Sequence, residues 1–503
     1  MSKIGTLMWL ICVVLQVDDL ERDAFEVLRL VRSLKNGLSP INRIPPELLT
    51  LIPDFFKKWR KNHGVVQLTH VCRAWRNVFV SHASLWTNFH CEDADKTRIC
   101  LERSNPSPIN LLIQREDSLP PHDPLLQVIP HAIDRVKFLS LRATQETIGH
   151  IATHLSRPAP LLEYLSIDCG CGSEPASNPV LTTPLFNGNL SSLRTLRLLY
   201  LHTELPWRNM LNLTSFTLWH TPLGGLSIGQ LLDFMESTPR LESVELRFAI
   251  PTSGAQGGRL VPLTYLQWMS IWEGEPCSPL LNHLLIPVGA KLSIQADSFG
   301  SRLEDNLPRS LDNFRNLSDL TKINLDLNES YQDVQFIGPN GEVSVTCPFP
   351  QGNPTSLVLE YLAHIDTSKT EQLEINHSNP QSSDPPHRAL LHMKNLRTLT
   401  LYRCQNLHFF IRALHSDASS SGAVVCPKLE DLILVLRERT GVFDIKHLIN
   451  MTTARALGGA GLMTIRLVGG QDKVDPDDML ELRRHVFDVE YSPGEGVTDD
   501  DSD

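Results

Sequence analysis

The sequence predicts an α/β protein in which a short all-α module precedes an irregular run of α/β repeats. Three observations carry this expectation. A phrase of the form apolar-x-x-apolar-x-apolar recurs between Val136 and Leu467. Helix-like segments fall between its copies. Ahead of them, Ile41–Phe89 packs two apolar helical patterns, a Pro-Pro start signal and three tryptophans into about fifty residues, too few to bury a substantial core alone.

Length and composition set the bounds. A chain of 503 residues exceeds one typical domain, so at least two structural units are expected. Hydrophobic content of 41% and charged content of 20% are globular values. The net charge of -11 argues against nucleic acid as main partner, because phosphate binding needs a basic surface. Lys57-Lys58-Trp59-Arg60-Lys61 is basic, but it reads as a solvated helix face or loop.

Residues 1–37 form the first segment. Thr6–Val17 is an apolar run too short to span a bilayer comfortably, and Asp18-Asp19 stand where a signal peptide would carry small residues. A buried helix and a start codon assigned too far upstream remain equal readings of it. No membrane association is expected. Leu20–Asn36 places Phe25, Leu28, Val31 and Leu34 on one helical stripe, with Gly37 as its C-cap.

Residues 38–90 form the second segment. Pro45-Pro46-Glu47 signals a helix start, with Leu48, Leu49, Leu51 and Ile52 as the apolar face and Pro53 as its limit. Leu68, Val71, Trp75, Val78 and Phe79 follow at helical spacing.

Residues 110–490 carry the repeated phrase. Copies start at Val136, Leu162, Leu193, Leu213, Leu241, Leu320, Leu396 and Leu429, with degenerate ones at Thr370 and Leu462. The last two apolar positions alternate inward on a short strand, and the first fills the preceding turn. One unit cannot bury its apolar side alone, so stacked units share a core. Spacings of about twenty to thirty-three residues are near the leucine-rich-repeat period, and Leu396–Leu407 resembles the cysteine-containing form of that repeat. Irregular spacing also permits plain αβ alternation. Ser227 is the expected N-cap of a helix over Ser227–Glu236, and weak repeats are expected around Leu263–Met269 and Leu284–Ile294. Gly170–Asn189, Pro251–Gly258, Gly338–Pro354, Ser378–Pro386 and Ser416–Gly422 read as loops, and residues 491–503 as a disordered acidic tail.

The second segment resembles the F-box. The elements that carry this are Ile44-Pro45-Pro46-Glu47-Leu48-Leu49, Val71-Cys72-Arg73-Ala74-Trp75-Arg76 and Ser84-Leu85-Trp86. With Leu38-Ser39-Pro40-Ile41 ahead of them, the chain looks like a fungal, basidiomycete-type F-box protein with a C-terminal leucine-rich-repeat-like domain. Ile44 departs from the family's leucine, and Pro53 and Phe55–Gly64 depart from its middle helix. The resemblance implies docking to the Skp-type adaptor of a cullin-RING ubiquitin ligase through Ile44, Pro45, Leu48, Leu49, Val71, Cys72, Trp75 and Trp86. It also implies a protein substrate on the repeats and a chain that is not itself an enzyme. The alternative is a repeat scaffold without ligase association.

No chemistry competes with this. Gly225-Leu226-Ser227-Ile228-Gly229 matches a nucleophile elbow, but a turn precedes it and N-capping accounts for Ser227. Gly458-Gly459-Ala460-Gly461 lacks the strand–loop–helix order of a phosphate loop. The ten cysteines, from Cys12 to Cys426, contain no CxxC pair, and the tightest pair is Cys169-Gly170-Cys171. No metal or cofactor is expected. The thiols read as reduced and mostly buried in a cytoplasmic or nuclear protein. Sequons at Asn189, Asn212, Asn316, Asn328, Asn376 and Asn450 matter only if the chain is secreted. His202, His220 and His408 fall near strand ends, where a lone histidine is usually solvated or hydrogen-bonded. Trp207, Trp219, Trp268 and Trp272 are candidate interface anchors, although core packing is the commoner fate.

Overall fold

The computed structural model describes residues 3–52, 63–170 save 92 and 121, 185–188, 190–201, 210–220, 227–251, 258–297, 302–308, 311–328 save 318, 331–348, 354–415 save 379 and 381, 424–436, 444–469 and 475–492. The chain divides into two compact units, one of Met1–Glu174 with Thr183–Leu193 and one of Pro175–Thr182 with Arg194–Asp503.

The first unit opens with helix α1 (Lys3–Leu38). The apolar run and the expected Leu20–Asn36 helix are one element, and Gly37 lies inside it rather than capping it. The stripe of Phe25, Leu28, Val31 and Leu34 is exposed, not buried. Among the described residues no helix is long and apolar enough to cross a membrane.

Three short helices follow, α2 (Pro46–Leu49), α3 (His63–Thr69) and α4 (Arg73–Ser81). Pro46 suits the first helical position, where its missing N–H would have had no partner. The second apolar pattern, expected as one helix face from Leu68 to Phe79, is split in two. Cys72 is extended at φ -160°, and Arg76 Nε donates to the Thr69 carbonyl at 3.0 Å. That bond satisfies an acceptor left over at the end of α3. Pro53, and the basic run Lys57–Lys61, lie outside the described residues. Strands β1 (Asn88–His90), β2 (Ile109–Gln114), β3 (Val136–Arg142) and β4 (Tyr164–Asp168) then pair in parallel, each beside its predecessor.

The second unit is built on a mostly parallel sheet. Its strands are β5 (Thr195–Leu199), β6 (Ser215–Trp219), β7 (Ser243–Arg247), β9 (Trp268–Glu273), β11 (Lys291–Ala296), β12 (Lys322–Leu327), β13 (Tyr331–Ile337), β14 (Glu342–Pro348), β15 (Gln372–Asn376), β16 (Thr398–Tyr402), β17 (Asp431–Val435), β18 (Thr464–Val468) and β19 (Asp488–Ser492). A separate short pair joins β8 (Val261–Pro262) to β10 (Leu284–Leu285). The phrase copies from Leu193 onward become strands that begin two residues after the phrase does, as at Leu193 and Thr195 or Leu241 and Ser243. Leu241, Val244 and Leu246 are buried as the phrase requires. The helix over Ile228–Ser237 is capped by Ser227, whose side chain meets Gln230 in a reciprocal capping box.

Neighbouring strands follow chain order with one interruption. β11 pairs in parallel with β14, β14 and β12 each pair antiparallel with β13, and β12 resumes the parallel series with β15. Crossover connections carry helices, as between β6 and β7, and along strands such as β7 and β16 every second side chain is buried on the core face. The other face is left to the outward side chains.

The interruption explains an error of expectation. Gly338–Pro354 reads as loop because glycine and proline cluster at its ends, yet Glu342–Pro348 is a strand with Val343, Val345 and Cys347 buried. The turn before it packs tightly. A Cβ on Gly341 would stand 2.6 Å from the Asn316 Cβ and 2.9 Å from the Ala290 carbonyl. Asn316 itself is buried and donates from Nδ2 to that carbonyl at 3.0 Å, so this sequon has no amide free for a glycan. Replacing Gly341 by Ala is expected to destabilise the protein by about 1–3 kcal/mol through overpacking. Chemical denaturation of the variant measures this.

Candidate functional site

Two surfaces emerge, one in each unit. In the first, Leu49, Leu68, Trp75 and Phe79 form a small core with Ile44, Ile52, Cys72, Val78 and Leu85 half-buried around it. Helices this short cannot enclose every apolar residue they carry. Leu48 is 54% exposed, Leu51 48%, Val71 54% and Ile41 48%. The eight residues that the resemblance assigns to adaptor docking therefore fall into three groups. Pro45, Leu48 and Val71 face solvent, Ile44 and Cys72 are half-buried, and Leu49, Trp75 and Trp86 are interior. Trp75 packs on Phe79 with ring centroids 5.6 Å apart. Trp86 donates from Nε1 to the Phe79 carbonyl at 2.7 Å, and Arg103 lies over its ring at 4.3 Å.

In the second unit the open face of β5, β6, β7 and β9 carries an aromatic and cationic row. Leu199, Trp219, Arg247 and Trp272 are level with one another in the strand register. The Arg247 guanidinium stands 4.5 Å from the Trp219 ring centre and 5.3 Å from that of Trp272. It also meets the Glu245 carboxylate at 2.8 Å. A guanidinium stacked on two indoles is held in place before any ligand arrives. Trp268 lies on the same face of β9 and is 39% exposed. Trp207 lies outside the described residues.

Just past the strand ends, Tyr200, His220 and Phe248 adopt left-handed φ values of 55°, 44° and 48°. The Tyr200 and His220 N–H groups still bond the last carbonyl of the next strand, His220 to Arg247 at 2.7 Å, and the Phe248 N–H bonds the Trp272 carbonyl at 2.8 Å. Left-handed backbone in a residue with a Cβ costs about 1–3 kcal/mol. The side chains return part of that cost by stacking: Tyr200 on His220 at 5.1 Å and His220 on Phe248 at 4.4 Å. Burial holds the His220 imidazole below its usual pKa, which favours the neutral ring. Glu273 closes the group from the interior. Its carboxylate accepts hydrogen bonds from the Ala249 and Ile250 N–H groups at 2.6 and 2.9 Å, fixing the chain beyond Phe248. Burial raises its pKa to about 7 against the opposing pull of those two bonds.

This row offers stacking area and one partly exposed cation, which is equipment for binding. Arg247 was missed in the sequence. Aligning the phrase copies at Leu213 and Leu241 with the weak repeat around Leu263–Met269 would have placed Trp219, Arg247 and Trp272 in one column. Ser227 is occupied by its capping box, and Gly225-Leu226 lie outside the described residues. Among the described residues no group of three metal-binding side chains converges, and the described cysteines are thiols. Burial pushes the Cys91 and Cys426 thiols up to about 12, keeping them protonated and unreactive.

A scan against protein-family models finds no match to this chain, and a search of curated proteins finds none.

The Glu273 environment sets a pH dependence. Its folded pKa lies above the unfolded value of 4.5, so its contribution to stability is greatest below pH 4.5 and is lost as pH rises towards about 7. The melting temperature of Glu273→Gln relative to the parent is expected to rise between pH 4.5 and pH 8. Paired thermal melts across that range check it, and a pH-independent difference would contradict the assignment.

Proposed function

We propose that this chain is a non-catalytic substrate receptor of an SCF-type (cullin-RING) E3 ubiquitin ligase, working in the cytoplasm or nucleus. In this reading residues 38–90 are an F-box that docks a Skp-type adaptor. The second unit is an irregular leucine-rich-repeat solenoid whose open face takes a protein substrate. The receptor's contribution is positioning, which raises the effective concentration of a substrate lysine near the transferring enzyme.

The observation that carries the reading is the division within the helical module. Leu49, Trp75 and Trp86 hold it together, while Leu48 and Val71, which belong to the same family motif elements, remain exposed beside that core. Exposed apolar residues on a module too small to cover them favour completion by a partner. The aromatic and arginine row on β6, β7 and β9 has the residue types that dominate protein-interface hot spots. The same row supports the second reading, a scaffold without ligase association, since it needs nothing from the helical module.

Co-expression with a fungal Skp-type adaptor separates the two. The parent chain is expected to co-purify with it in stoichiometric amount. Leu48→Glu with Val71→Glu is expected to abolish co-purification at an unchanged melting temperature, because both side chains are exposed. Retention of the adaptor by that variant would refute this docking face, and a soluble parent chain that ignores the adaptor would favour the scaffold. Leu49 is unsuitable for the test, being 3% exposed and part of the core.

A further inference from the structure

The chain carries a net charge of -11, yet the first unit contains a groove whose charge is of the opposite sign. The C-terminal half of α1 forms one wall and the start of α4 the other, enclosing about 770 Å³. The α1 wall presents Arg29 and Arg32, three residues apart, and the α4 wall presents Arg73 and Arg76 at the same spacing. On a helix that spacing puts both members of a pair on one face. Phe25 and Leu28, 64% and 50% exposed, supply apolar surface between the charges.

The cations are poorly compensated. Glu26 pairs with Arg29 at 2.6 Å. Among the described residues no carboxylate pairs with Arg32, Arg73 or Arg76, and the Arg76 bond to Thr69 uses only its Nε. Guanidinium groups in this state favour carboxylate or phosphate oxygens, which they take in bidentate pairs. The size of the groove and its apolar patches favour an extended ligand over a single small anion.

We propose that this groove binds an acidic, amphipathic segment of a partner protein. Its carboxylates sit on Arg32, Arg73 and Arg76, and its apolar residues lie against Phe25 and Leu28. This is the physics of a helix or strand laid into a groove and selected by an arginine cluster. The groove takes in Cys72, which the proposed adaptor-docking set shares, but not Leu48 or Val71, so the test leaves the adaptor out.

The test uses the full chain without any adaptor, and fluorescence anisotropy of two labelled peptides, one of repeated Glu-Glu-Leu and one of repeated Lys-Lys-Leu. The acidic peptide is expected to bind and to weaken as sodium chloride is raised. Arg32→Glu with Arg73→Glu is expected to weaken it about tenfold or more, and Glu26→Gln, which frees Arg29, to tighten it. All three side chains are exposed, so the variants are expected to fold, which thermal melts check. Equal binding of the basic peptide, or an affinity unchanged by the double reversal, would overturn the proposal. So would complete displacement of the acidic peptide by an equal concentration of inorganic phosphate, which would reveal a plain anion site.

Discussion

The second unit depends on one row of buried side chains. Leu198, Leu218, Leu246, Ile271, Ile294, Val345, Val334, Leu325, Ile375, Leu401, Leu434 and Leu467 lie level across successive strands, none more than 1% exposed. A slip of one residue in any strand would send its side chains to the opposite face and break the row. The constraint therefore fixes register everywhere, and register fixes the outer face. Because Leu246 must point in, Arg247 must point out, level with Trp219 and Trp272. The stacked guanidinium follows from the core's demand for alternation.

The helical module obeys a different constraint, set by size. Its core is filled by a few large side chains, with Trp86 anchored to the Phe79 carbonyl. Once Leu49 and Trp75 are inside, the neighbouring turns have no interior left for Leu48 or Val71. Family motifs mix residues that build such a module with residues that present it, and solvent exposure tells the two kinds apart. The proposed receptor function rests on the second kind.

Much of this was legible in the sequence for a physical reason. Phrases such as LESVEL and LRTLTL state period-two burial directly, and β7 and β16 coincide with them. The strands that were missed lack the phrase's opening leucine. β13 and β14 bury Val334, Phe336, Val343 and Val345 by alternation alone, and their glycine turn looked like a loop. The stripe on α1 was legible as a helix but not as an exposed one, because periodicity reports a face without reporting what covers it. The arginine groove was illegible for a related reason. Arg32 and Arg73 are far apart in sequence, and they meet across a turn in which Asn42 donates from Nδ2 to the Asn36 carbonyl at 2.6 Å and accepts from the Cys72 thiol at 3.6 Å.

The antiparallel insertion has a consequence for the order in which the chain assembles. Parallel neighbours that follow one another in sequence can be added one at a time as synthesis proceeds, each templating the next. At β11 this stops, because the strand that completes its edge is β14, which emerges only after β12 and β13. Until the β12–β13–β14 meander closes, the nascent sheet ends in an unpaired parallel edge, the kind of surface that invites aggregation. Meander formation is local and therefore fast compared with long-range pairing. The kinetic seam of the second unit thus runs from Ala296, where β11 ends, to Glu342, where β14 begins.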